Sequence, residues 1–237
     1  MKAMIFAAGL GTRLGSFTKN KPKALVKIND KSMLEYQLEK LIKYNFKNII
    51  VNTHHFSQQI KTFIQSYEHQ NLKIEISDES DQLLNTGGGL IKALPLFQKE
   101  KALLIHNVDI FSDLNISEFY NQLINSDNSA LLAVKERETQ RYLLFDNNLI
   151  LCGWENIRTG EKIIVRKADN LKRLAFSGIH CIKPHLIAET KLSGPCSVID
   201  IYLEMAKKYK IKAHIHNDNF WIDAGKPRQI RQLAQIL

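Results

Sequence analysis

Four groups of residues in this chain have the types and spacing for phosphate chemistry. Ala8-Gly9-Leu10-Gly11-Thr12-Arg13 follows the apolar run Ala3 to Ala8, and Lys23 lies a short way beyond it. Gly9 and Gly11 carry no side chains, so backbone N–H groups can close on a phosphate oxygen while Arg13 and Lys23 supply charge. An ordinary glycine-rich turn needs neither a buried strand before it nor two cations after it, so the loop reads as a polyphosphate holder. A dinucleotide-binding loop would want a third glycine and an acidic residue closing the next strand, which here ends Asn52-Thr53-His54 without a carboxylate; the Gly-Lys-Ser/Thr of a P-loop is also absent. Leu84 to Leu94 contains Thr86-Gly87-Gly88-Gly89, backbone bare enough for a flat base to approach the start of a helix, or else a flexible turn capping it. The run Lys101 to Asp109 is apolar and ends in a carboxylate, where a parallel sheet presents its chemistry, which makes Asp109 a candidate metal ligand. Phe176-Ser177-Gly178-Ile179 interrupts an apolar strand with a glycine, the mark of a bulge or of close approach by a ligand.

Ala7-Ala8-Gly9-Leu10-Gly11-Thr12-Arg13-Leu14, followed by Pro22-Lys23-Ala24-Leu25, resembles the signature of the sugar-nucleotide pyrophosphorylases. These are nucleotidyltransferases that join a nucleoside triphosphate to a sugar 1-phosphate. Ser16 stands where they usually carry proline, which is expected to loosen the loop without removing a ligand. The resemblance implies that Ala8 to Arg13 hold the nucleotide and that Thr86, Gly87 and Gly88 hold its base, with Glu79 the upstream acidic partner and Asn85 in place of a usual glycine. It further implies that Ser177 and Gly178 lie beneath the sugar and that Trp221-Ile222-Asp223-Ala224-Gly225 folds back to the nucleotide. Asp223 would then be the second ligand, with Asp109, of a Mg²⁺ ion; alone, an aspartate before a helix is usually a cap. Arg13, Lys23 and Asp109 are the implied catalytic residues, with Lys23 neutralising the α-phosphate or the incoming sugar phosphate. Val108 replaces the family's small residue before Asp109, and the Glu-Lys-Pro motif that many relatives use on the sugar is absent; neither Glu155 nor Glu161 is given its role. Leu90-Ile91-Lys92-Ala93-Leu94-Pro95 after the glycines is most similar to the N-acetylmuramate-1-phosphate uridylyltransferases, implying UTP and N-acetylmuramic acid 1-phosphate as substrates. The alternatives are guanylyl or cytidylyl transfer to a hexose, heptose or choline phosphate, or a catalytically inactive nucleotide sensor, which Val108 would favour.

With 237 residues, 44% of them apolar, the chain can bury a substantial core in a single domain, residues 1–135 serving the nucleotide and 136–237 the sugar phosphate. The net charge of +9 comes from scattered lysines without a basic run, which argues against nucleic acid as a partner and suits a site for two phosphorylated substrates. Cys152, Cys181 and Cys196 have no metal-binding spacing and form an odd set, as reduced cytosolic thiols would. The apolar start is too short for a signal peptide and runs straight into the phosphate loop, and no run approaches a membrane span. A soluble cytoplasmic protein, monomeric or a small homo-oligomer, is expected.

Positioning these groups requires an alternation of strands and helices. Ser32 and Glu35 have capping-box spacing before a helix over 33–44; strand 48–53, helix 57–67 and strand 73–77 follow, with Ile60, Phe63, Ile64 and Tyr67 inward. Asp113 reads as the cap of a helix over 116–126. Beyond a strand over 130–134, segments 142–146 and 149–152 pair around Asp146-Asn147-Asn148, and 153–172 reads as irregular chain over the acceptor site. A strand over 174–182, a helix over 197–209, a strand over 212–216 with His214 and His216 solvated, and a last helix over 228–237 complete the chain. The expected class is α/β: a mostly parallel, Rossmann-like mixed sheet flanked by helices, of the nucleotide-diphospho-sugar transferase (GT-A-like) kind, with a small sugar-binding lobe.

Overall fold

A computed structural model describes residues 1–67, 69 and 71–237. In chain order the elements are β1 (Lys2–Phe6), β2 (Lys27–Ile28), β3 (Lys31–Ser32), α1 (Met33–Lys43), β4 (Asn48–Thr53), α2 (Ser57–Ser66), β5 (Lys73–Asp78), α3 (Asn85–Ala93), β6 (Leu103–Asn107), β7 (Ile110–Ser112) and α4 (Ile116–Ile124). They continue as β8 (Ala130–Lys135), β9 (Arg141–Phe145), β10 (Leu151–Asn156), β11 (Glu161–Ile164), β12 (Lys172–Ile182), α5 (His185–Ala188), α6 (Val198–Met205), β13 (Ile211–Ile215), β14 (Trp221–Asp223) and α7 (Pro227–Ala234). A main sheet runs β11-β10-β9-β12-β6-β1-β4-β5, with β8 also paired to β12 and β13 to β8. β6, β1, β4 and β5 are mutually parallel, as are β8 and β13; β12 is antiparallel to β6, β8 and β9. The sheet is therefore mixed, helices cover it on both faces, and the expected class is the one observed.

Alternation along β1 shows why both faces must be covered. Ala3 and Ile5 enter one buried cluster with α1, α4 and α7, whereas Met4 and Phe6 enter another with α3 and α6. From β1 the chain first moves to β4 and β5 on one side, then returns to place β6 on the other. The β1/β6 boundary is thus the point where strand order reverses, and the crevice beyond the carboxyl ends of such a pair is where open α/β sheets take ligands.

Local signals account for much of this. The Ser32 hydroxyl accepts from the Glu35 N–H at 3.1 Å and the Glu35 carboxylate accepts from the Ser32 N–H at 3.4 Å, so the capping box starts α1 as its spacing predicts. On α2, Ile60 is fully buried while Phe63, Ile64 and Tyr67 pack half-buried on the same cluster. Three expectations are corrected. The α4 cap is Asn115, whose side chain accepts from Ser117 and Glu118, because the helix starts later than Asp113 can reach. Segment 153–172 is irregular only in part: β10 runs on to Asn156 and pairs with β11 in a hairpin, with Gly153 against the Ile163 carbonyl too closely for any Cβ, while residues 165–171 form no helix or strand. His216 is buried rather than solvated. No helix among the described residues is long and apolar enough to cross a membrane.

Candidate active site

Phe6 and Asn107 are register partners at the ends of β1 and β6, and the Val108 N–H donates to the Phe6 carbonyl at 3.2 Å. The glycine loop and the Asn107–Asp109 turn therefore leave the sheet side by side. Asn52, buried at the end of β4, holds the loop from its other flank: its Oδ1 accepts from the Ala7 N–H at 2.7 Å and the Ala8 N–H at 3.3 Å. Gly11 has φ 68°, and a Cβ there would lie 2.9 Å from both Lys23 Cβ and Thr18 Cγ2, so the tight return of the loop over Lys23 requires glycine. The Thr18 hydroxyl donates to the Gly11 carbonyl at 3.1 Å and fixes that return.

A two-stranded ribbon, β7 against β14, brings in the second carboxylate. Asp223 is opposite Ile110, and the Ala224 N–H donates to the Asp109 carbonyl at 2.8 Å. Asp109 forms a buried ion pair with the Lys23 ammonium. Asp223 Oδ1 accepts from the Gly225 N–H at 2.8 Å, and its Oδ2 lies 3.9 Å from Arg13 Nη1. Burial, then the nearby Asp109 charge, raise the Asp223 pKa above the usual carboxylate range, against the Gly225 amide, Lys23 and Arg13, which lower it. A Cβ at Gly225 would meet Arg13 Nη2 at 2.6 Å and Asp223 Oδ1 at 2.7 Å, so a larger residue there would displace both side-chain ends.

Two mutually repelling carboxylates form a hard-oxygen donor set, and the like-charge repulsion that raises Asp223 is relieved by a cation. Among the described residues no group of three or more His, Cys, Asp and Glu side chains could hold a metal. Two carboxylates together with substrate phosphates are a donor set that a divalent cation could share.

A cavity of about 480 Å³ lies above this arrangement, bounded by the loop from Ala8 to Arg13 and by Lys23, Asn52, Asn85, Thr86, Ser197 and Gly225. A smaller one of about 180 Å³ shares Phe6, Gly9, Lys23 and Thr86 with it and reaches Asn107, Val108 and Asp109.

Several anticipated contacts sit elsewhere. Glu79 is fully buried beneath α3: its carboxylate accepts from Asn52 Nδ2 at 2.7 Å, its carbonyl meets His54 Nδ1 at 2.6 Å, and burial raises its pKa, so it props Asn52 instead of lining the base cavity. Gly87 and Gly88 do not present amides to a base, because both N–H groups donate to the Cys196 carbonyl, at 2.8 and 3.3 Å. Their missing side chains let α3 meet the chain before α6, where a Cβ would lie 2.6 Å from the Ser197 carbonyl oxygen or 2.3 Å from that of Gly194. Ser177 is fully buried, its hydroxyl paired with His216 Nε2 at 2.8 Å and its carbonyl with Trp221 Nε1 at 2.9 Å. Gly178, at φ 74°, packs on Asn107, whose Nδ2 would be 2.8 Å from a Cβ there.

Asn52, Asn107 and Ser197 went unread in the sequence. The signal for Asn52 was available, since a polar residue at the carboxyl end of a buried parallel strand is the same argument that singled out Asp109.

The family model described as Nucleotidyl transferase matches residues 2–237. The chain is 27% identical to the N-acetylmuramate alpha-1-phosphate uridylyltransferase of Caulobacter vibrioides, over 95% of this chain and 92% of that protein. It is 30% identical to the D-glycero-alpha-D-manno-heptose 1-phosphate guanylyltransferase of Campylobacter jejuni, over 96% of each. In fold it matches the HddC protein of Yersinia pseudotuberculosis complexed with GMP-PN at TM-score 0.77 and 21% identity, over 99% of this chain and 98% of that one. Its glycine loop, its paired carboxylates and a family match spanning nearly its whole length lead to one conclusion: the chain belongs to the nucleotidyl transferase family, among the sugar-1-phosphate nucleotidyltransferases.

Proposed function

We propose that the protein transfers a uridylyl group from UTP to N-acetylmuramic acid 1-phosphate with Mg²⁺ as cofactor, releasing pyrophosphate. The observation that carries the reaction type is the ribbon that sets Asp109 and Asp223 together beside the Lys23 and Arg13 cations at the mouth of the glycine loop. The base and sugar rest on the Caulobacter relative, and the Campylobacter relative supports a second reading, guanylyl transfer to a heptose 1-phosphate. We place the enzyme in the cytoplasm, in keeping with its three unpaired thiols, as one domain whose two halves serve the two substrates.

A sugar 1-phosphate is mostly dianionic at neutral pH, its second pKa being about 6, so its oxygen attacks the α-phosphorus without a general base. The bond to the β-phosphate oxygen breaks as the new one forms, and pyrophosphate carries away the electron pair. Repulsion between two anions is what the protein must overcome. Arg13 and the loop amides steady the departing β- and γ-phosphates, and Lys23, within reach of the carboxylates, neutralises the α-phosphate as charge builds on it. Gly9, between the two cavities, leaves room for the phosphate chain to pass from one to the other. Asp109 and Asp223 would hold Mg²⁺, which would supply charge neutralisation at the reacting phosphates.

Pyrophosphate release across a matrix of four nucleoside triphosphates and several sugar 1-phosphates tests this. The highest rate is expected for UTP with N-acetylmuramic acid 1-phosphate. Preference for GTP with a heptose 1-phosphate would move the assignment to the second reading, and no release from any pair would leave a nucleotide-binding module without turnover.

A further inference from the structure

The β12 strand changes register against β8 between Phe176, opposite Val134, and His180, opposite Leu132. At the displaced segment two side chains accept the duty of a strand partner. The Phe176 carbonyl accepts from Arg137 Nη2 at 3.0 Å, and the Ser177 carbonyl from Trp221 Nε1 at 2.9 Å. The Arg137 guanidinium lies over the Trp221 ring, its Cζ 4.4 Å from the ring centroid. Trp221 precedes Asp223 by two residues on β14, so Arg137 is fixed beside the metal-binding ribbon on its β12 side, whereas Arg13 approaches from the glycine loop.

Arg137 differs from the other two cations in what it faces. Lys23 pairs with Asp109 and Arg13 with Asp223, but among the described residues no carboxylate lies within ion-pair distance of Arg137. Its Nη1 makes only a 3.5 Å contact with the Glu138 carbonyl, and its Nε is buried without a hydrogen-bond partner. Burial lowers its pKa from the ordinary guanidinium value, while the charges of Asp223 and Tyr142 act in the opposite direction. A half-buried, ring-stacked guanidinium with donors to spare is a planar fork held ready for a phosphate.

We propose that Arg137 binds the phosphate of the acceptor beside the β14 ribbon, so that donor and acceptor phosphates are held by different cations. The proposal rests on the reading of the second substrate as a sugar 1-phosphate. It explains why the acceptor can be held although the Glu-Lys-Pro motif is missing: the anchoring charge comes from the chain between β8 and β9.

Two measurements decide it. In steady-state kinetics, Arg137→Gln keeps a polar side chain but loses the charge and the contact with the Phe176 carbonyl. It is expected to raise the acceptor KM about tenfold or more while the nucleotide KM stays within about twofold, and Arg137→Lys should recover part of the loss. An unchanged acceptor KM, or equal rises in both KM values, would overturn the proposal. The second measurement needs no turnover: in a Trp154→Phe background Trp221 is the sole tryptophan. Inorganic phosphate should then alter its emission with Arg137 or Lys present and not in Arg137→Gln. A parent protein whose emission ignores phosphate would also overturn it. Absence of turnover with every substrate pair would refute the transferase reading alone, since the phosphate response still reports on Arg137.

Discussion

Asp109 and Asp223 are neighbours because the Ala224 N–H donates to the Asp109 carbonyl at 2.8 Å across the β7–β14 ribbon. That backbone contact, across an antiparallel ribbon, is what sets their proximity. Each carboxylate has its own cation, Lys23 for Asp109 and Arg13 for Asp223.

Asp109→Asn should lose at least about a hundredfold in kcat, because the neutral amide holds a divalent cation far more weakly and cannot share its charge. The amide oxygen still accepts from Lys23, so the variant should fold. Asp109→Ala would strand a buried ammonium and is expected to cost about 3–5 kcal/mol. Rates of pyrophosphate release and a thermal melt together check this; near-normal turnover of the Asn variant with Mg²⁺ would remove the metal assignment.

Lys23→Met is expected to lower kcat more than it raises either KM. A drop confined to substrate affinity would mean that Lys23 holds ground state and transition state equally. It also removes a charge that keeps Asp223 down, so the acid limb of the rate profile should move to higher pH.

Asn52→Ala releases the Ala7 and Ala8 amides and leaves Glu79, already destabilised by burial, without its amide partner. A loss of about 1–3 kcal/mol follows for unpaired buried groups, with a higher nucleotide KM as the loop loosens. Urea denaturation and initial rates would show it; an unaltered nucleotide KM would mean the loop keeps its shape without the clamp.

Two glycine substitutions should separate packing from binding. Gly88→Ala places a Cβ 2.3 Å from the Gly194 carbonyl oxygen and should destabilise the fold. Gly9→Ala meets no atom within 4 Å, so its melting temperature should match wild type while its methyl, at the junction of the two cavities, obstructs the donor phosphates. Equal melting temperatures for both variants would contradict this division.

Acid should weaken the protein through its buried histidines. Burial lowers the His106 and His180 pKa values from 6.5 to about 3, so the unfolded chain takes up protons that the native state refuses. Their contribution is complete well above about pH 6.5 and is lost as pH falls toward about 3, at a slope of about 2.5 kcal/mol per pH unit near pH 5.5. Denaturant titrations at pH 7.5 and about 5.5 measure it; equal stabilities would show that these imidazoles take up protons in the folded state.

The local sequence determined the elements and the glycine loop, because capping boxes, helical periodicity and the glycines of a tight return act over a few residues. The Ser32–Glu35 box and the Gly9–Arg13 loop are of this kind, and Asp109 was legible because a strand end is a local feature as well. The tertiary structure alone decided which polar groups meet. Glu79 had the right chemistry for a base contact, yet α3 covers it; Gly87 and Gly88 were bare enough for a ligand, yet the chain before α6 fills the space they leave. Arg137 gave no signal, since it becomes a candidate only when a register shift in β12 turns two carbonyls toward it and Trp221. Burial and orientation depend on segments far apart in the chain, and a string of residue types does not encode which of them will be neighbours until the sheet has placed its strands.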